Sequence, residues 1–178
     1  VDGLTFLNKR LGPACYAVQF IIKRSLLLEN NLLFKSGIYF EDTEWTPRMI
    51  IKAERIASSD TIVYNYLMRE GSITKAINRD KQRKVVEDKI KLIDSLLEHS
   101  NGLEDKSWFE RMIAGTVLST IGCIAADFYD ERKKYLKELD INSNLKVKVK
   151  RNDKELDCYA KLKEINGEKI IGLYLVNI

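Results

Sequence analysis

Residues 37–56, GIYFEDTEWTPRMIIKAERI, decide how the chain is read. Asp42 and Thr43 are good helix N-cap residues, and Pro47 falls near the first turn, where a missing N–H costs least. Trp45, Met49, Ala53 and Ile56 then recur at helical spacing, so a helix opening at Glu41-Asp42-Thr43 buries one face. It runs out near Ser58-Ser59-Asp60.

Upstream, Leu4, Leu7 and Leu11 mark a short amphipathic stretch that Gly12-Pro13 breaks. Over residues 16–29, Val18, Ile21, Ile22, Ser25 and Leu26 form an apolar stripe, and Asn30-Asn31 favours a stop because Asn tolerates the left-handed conformation. Residues 32–40 are expected to be extended, with a turn at Ser36-Gly37. Downstream, residues 61–67 are rich in β-branched and aromatic side chains and predict a strand.

Two strong helices follow. The first carries Val86, Ile90, Ile93 and Leu97 at helical spacing. The second, over residues 105–139, carries Phe109, Ile113, Val117, Ile121 and Phe128. The short Ser100-Asn101-Gly102 connection predicts antiparallel neighbours. From Leu145 the pattern turns to alternation, and Asn166-Gly167 is a hairpin signal, which together predict a three-stranded meander. The expected class is therefore α+β and helix-dominated, divided at 1–78, 79–140 and 141–178, with a long helical hairpin and a small antiparallel C-terminal sheet.

Composition narrows the function. A net charge of +4 over 178 residues is far from the concentrated basic excess of a nucleic-acid binder. Cys15, Cys123 and Cys158 are scattered and odd in number, so neither a zinc site nor a disulfide framework is indicated, and a reducing cytoplasmic setting fits. The uncharged run over residues 112–126 is short of the roughly 20 residues a spanning helix needs, which favours a core helix. The opening at Val1, with no signal-peptide pattern, is read as a cut inside a longer protein.

Four pieces in one order resemble a family 2 glycosyltransferase of the GT-A fold: GLTFLNKRL, CYAVQFIIKRSLLLENNLLF, GIYFEDTEWTPRMIIKAERI and IVYNYLMREGSIT. They cover residues 3–74. The resemblance implies direct transfer of a sugar from a nucleotide donor, with inversion at the anomeric carbon. Asp42 would be the general base that accepts the proton of the acceptor hydroxyl, and Glu41 would orient Asp42 or an acceptor hydroxyl. A carboxylate at a helix N-terminus is expected to stay ionised, and so to be a weak base. The plainer reading of Asp42 is an N-cap alone, and the two roles are compatible if Thr43 caps.

Trp45 is a candidate for stacking on a sugar face, although it also leads the apolar stripe, which favours the core. Arg69 and Ser72 fall where the family closes its site, with a solvated charge as the plain reading of Arg69. His99 is taken as a helix-end or surface residue, not a catalyst.

No Asp-x-Asp motif and no glycine-rich phosphate loop occurs in the chain. The resemblance therefore places the nucleotide-binding half, with its Mg²⁺ or Mn²⁺, upstream of Val1, and this fragment alone is expected to be inactive. The parent would act on a glycan or lipid-linked acceptor in bacterial surface-polysaccharide assembly, in the cytoplasm or at the inner face of the membrane. Peripheral membrane contact through the cationic residues 132–154 and a homodimer are further expectations. The competing reading, from another class, is a helical interaction module in which the Glu-Asp segment is structural.

Overall fold

In a computed structural model the described residues are 1–65, 67, 78–131, 134–135, 145–151, 154–165 and 168–175, the last three stretches as backbone only. The chain divides into two compact units, Val1–Asp105 and Lys106–Ile178, each taken by itself below.

The first unit is built on four helices: α1 (Gly3–Lys9), α2 (Arg24–Glu29), α3 (Glu41–Ile51) and α4 (Arg79–Ser100). Two of them are capped as their sequences dictate. Asp2 accepts the Thr5 N–H at 2.9 Å at the start of α1, and Asn78 accepts the Lys81 N–H at 2.9 Å at the start of α4. Helix α3 lies at the centre, with α1 against one part of it and α4 against another. Its Trp45, Met49 and Ile50 are buried together with Leu7 of α1 and with Val86, Ile90, Leu92, Ile93 and Leu96 of α4. Gly3 allows the close approach of α1: its N–H donates to the Ala53 carbonyl at 2.8 Å, and a Cβ there would stand 1.8 Å from the Ile50 carbonyl oxygen.

In the second unit, α5 (Ser107–Asp127) buries Phe109, Ile113, Val117 and Ile124 along one face. Gly115, Ser119 and Gly122 are exposed on it. A T-shaped ring pair, Phe128 and Tyr135 with centroids 5.8 Å apart, follows the helix. Farther on, the backbone segments β1 (Leu145–Arg151), β2 (Lys154–Ile165) and β3 (Glu168–Leu175) run antiparallel in that order, with Val147 opposite Cys158 and Ala160 opposite Leu173.

The structure overturns the α+β class expected from the sequence. Among the described residues up to 135 the regular elements are helices, with no strand and no sheet. The three segments after residue 144 are described as backbone alone, so the class is set by the residues before them, and it is helical.

Two local expectations are corrected with it. Residues 61–65 and 67 form no strand, and Ile62 and Leu67 are each 81% exposed. Strand propensity reflects packing on neighbouring strands, and no strand pairs with this segment among the described residues. The stripe over residues 16–29 also fails to make one buried helix: a short 3₁₀ turn at Ala17–Gln19 and the six-residue α2 share the segment, and Val18 and Ile21 are exposed. The stop at its end is as predicted, with Asn30 as the C-cap and Asn31 left-handed at φ 49°.

Candidate functional site

The Glu-Asp pair lies at the start of α3, but not where capping would place it. The N-cap is Phe40, in the left-handed conformation (φ 65°, ψ 28°), and it makes no side-chain capping bond. Its carbonyl closes the first turn by accepting the Glu44 N–H at 3.1 Å. Glu41 is thus the first helical residue and Asp42 the second, so the expected capping by Asp42 or Thr43 does not occur. An aromatic residue at positive φ is sterically costly and persists only where the surroundings enforce it.

Asp42 is half-buried, while Glu41 is exposed. Residues 15–17 lie alongside the carboxylate: the Ala17 backbone N–H hydrogen-bonds to Asp42, and the Thr46 hydroxyl donates to the Cys15 carbonyl at 3.2 Å. Burial raises the Asp42 carboxyl above the ordinary Asp value, the Ala17 N–H offsets part of that rise, and the neighbouring charge of Glu41 adds to it. The expectation that the helix start lowers this carboxyl is corrected: it is raised, which makes Asp42 a stronger base than a solvated Asp. The Cys15 thiol is pushed up to about 12 by burial, with the charge of Asp42 adding, so it stays an unreactive thiol.

The other predicted residues separate. Trp45 is 4% exposed, donates its indole N–H to the Leu32 carbonyl at 3.1 Å and stacks on Phe34 at 4.6 Å. It is a core residue with no open face for a sugar. Arg69 and Ser72 lie outside the described residues.

One turn beyond Asp42 is a cluster the sequence reading missed. Glu44 is 2% exposed. It accepts from Arg48 Nη2 at 2.8 Å and from Ser95 Oγ at 2.9 Å, and His99 Nε2 lies 3.2 Å from its Oε1. Burial would raise this carboxyl, but His99, Arg48 and Ser95 outweigh burial and hold it at about 2. Ser, His and Glu together suggest a nucleophilic triad, but the geometry opposes one. A triad uses the two imidazole nitrogens separately, one towards the hydroxyl and one towards the carboxylate. Here Nε2 alone faces both, 3.2 Å from each, and the hydroxyl donates directly to the carboxylate. The cluster instead ties α3 to the last two turns of α4. His99 is thereby an inter-helix partner, not the surface residue expected. A signal for it exists in the sequence: Glu44 with Arg48, and Ser95 with His99, are both i,i+4 pairs.

Among the described residues no three His, Cys, Asp or Glu side chains gather as metal ligands. The divalent cation implied by the resemblance thus has no fitting ligand set in them, and no step below runs through it. Comparison with protein-family models, characterised proteins and solved structures finds no match for this chain.

Proposed function

We propose that the chain is the acceptor-side part of an inverting glycosyltransferase of the kind that assembles bacterial surface polysaccharide, with Asp42 as the general base. The observation that supports this best is the release of Asp42 from capping: Phe40 takes the cap position, leaving a half-buried carboxylate with a raised proton affinity. In the transfer, an acceptor hydroxyl oxygen attacks the anomeric carbon as the bond to the nucleoside diphosphate breaks, and the hydroxyl proton passes to Asp42. Glu41, exposed beside it, would orient the acceptor. A base of elevated proton affinity suits a proton that is released late, as the new bond forms.

The donor, its metal and the acceptor's lipid or glycan carrier belong to the parent enzyme in this reading, which works in the cytoplasm at the inner membrane face. Helix Ser107–Asp127 is long and apolar enough to cross a membrane by length and composition, although one of its faces is buried within the protein. A second reading, an interaction module, is favoured by the exposed Tyr16, Ile21, Leu28, Leu33 and Phe34.

The deciding assay uses the protein with its upstream sequence and follows consumption of a panel of nucleoside-diphosphate sugars. Asp42→Asn should slow turnover by about 100-fold or more, the usual loss for a general base. Full turnover in Asp42→Asn would falsify the base assignment, and no turnover in the native protein would leave the interaction module.

A further inference from the structure

One buried carboxylate has no place in the proton transfer. The Asp88 side chain, midway along α4, is fully buried. It accepts the Tyr39 backbone N–H at 2.9 Å and Lys91 Nζ at 3.0 Å, and it pairs with Lys84. Lys84 reaches on to the Gly37 carbonyl at 2.6 Å, with its ammonium 4.8 Å from the Tyr39 ring centroid. Burial works against the charge on Asp88, but Lys84, the Tyr39 N–H and Lys91 outweigh it and keep the carboxyl below its ordinary value. An ion pair serving α4 alone needs only the i,i+4 and i,i+3 lysines. The bonds to Tyr39 and Gly37 reach 49 and 47 residues away in sequence.

Those bonds meet a turn that needs holding. Residues 37–40 contain two left-handed residues, Gly37 at φ 77° and Phe40 at φ 65°. Glycine adopts that conformation freely, whereas phenylalanine keeps it only when the surroundings over-determine it. Phe40 is also the residue whose carbonyl starts α3. The conformation of this turn therefore decides which residue is second in the helix, and so where the Asp42 carboxylate is held.

We infer that Asp88, together with Lys84, is a positioning residue: by clamping residues 37–40 it fixes the start of α3 and holds the Asp42 carboxylate in place. This rests on Asp42 being the base, but the coupling from position 88 to position 42 exists without any sugar donor.

The test is a carbon-13 NMR titration of the Asp42 carboxyl in the full chain, comparing the native protein with Asp88→Asn and Lys84→Met. Loosening the turn admits water to Asp42 and removes the burial that raises it, so its midpoint should fall in both variants. The Tyr39 amide should exchange about tenfold faster in each. The two substitutions change the charge near the turn in opposite senses. A fixed turn would therefore answer by Coulomb's law alone, with the midpoint falling in Asp88→Asn and rising in Lys84→Met. Midpoints that move apart in this way, or that stay put in either variant, overturn the inference. Lys84 is 39% exposed, so Lys84→Met remains informative where Asp88→Asn does not fold. Full turnover in Asp42→Asn refutes the base without touching this coupling, and an unmoved Asp42 titration refutes the coupling without touching the base.

Discussion

Asp42 and Glu44 stand two residues apart on α3, and their surroundings push them in opposite directions. Asp42 is disfavoured as an anion, because burial and Glu41 outweigh the Ala17 N–H. Its native pKa lies above the unfolded one, so its charge lowers native stability at every pH above that native value. Asp42→Asn should therefore raise the thermal midpoint at pH 7, and the gain should shrink as pH falls through the native pKa of Asp42. Calorimetry at several pH values checks this. Lost turnover with gained stability marks a functional carboxylate, whereas a structural one loses both. Glu44 is the structural case. Glu44→Gln leaves Arg48 and His99 without their anion and should cost about 3 kcal/mol in denaturant unfolding.

At the scale of elements, α3 owes its place to contacts that sequence patterns reach unevenly. Its buried face was legible at Trp45 and Met49, which follow helical periodicity and are in the core, but α3 ends at Ile51 and leaves Ala53 and Ile56 beyond it. Helix α4 was legible for the same reason, with Val86, Ile90 and Ile93 buried although Leu97 is 37% exposed, whereas α5 ends at Asp127 and not at the expected residue 139. The start of α3 was not, because propensity favours Asp or Thr as the cap, while tertiary bonds from α4 fix a phenylalanine there. Nor was the burial of Glu44, a residue type that is rarely fully buried unless paired, because Arg48 alone is a local partner while Ser95 and His99 lie 51 and 55 residues away. Residues 61–65 and 67 failed for the converse reason: local preference was strong, but a strand is completed only by a neighbour. Gly3 carries a further sequence-silent constraint. Gly3→Ala would drive a methyl into the Ile50 carbonyl and separate α1 from α3, at a cost of about 2–3 kcal/mol. Chemical denaturation monitored by Trp45 fluorescence measures it.

Over the whole first unit, two buried acids act in concert. Glu44 and Asp88 have native pKa values below their unfolded ones, and each joins α4 to residues of the α3 region. Groups shifted this way supply stability above the unfolded pKa that is lost as pH falls through the native one. For Glu44 that window runs from 4.5 down to about 2. The helical circular-dichroism signal of residues 1–105 should therefore become progressively easier to melt across this range. Glu44→Gln should flatten the dependence, and an acid-insensitive melting temperature would contradict the pairing.

The backbone at Phe40 has a consequence for how this protein tolerates change. In a saturation library at codon 40, a selection for folded, protease-resistant protein should enrich asparagine and glycine, the residues that accept φ 65° at least cost. A selection for sugar transfer should keep the aromatic ring, because the Lys89 ammonium, 5.8 Å from its centroid, ties residue 40 to α4. Two screens of one library would then rank the same substitutions in opposite orders. That reversal would locate the working end of α3 before any donor sugar is known.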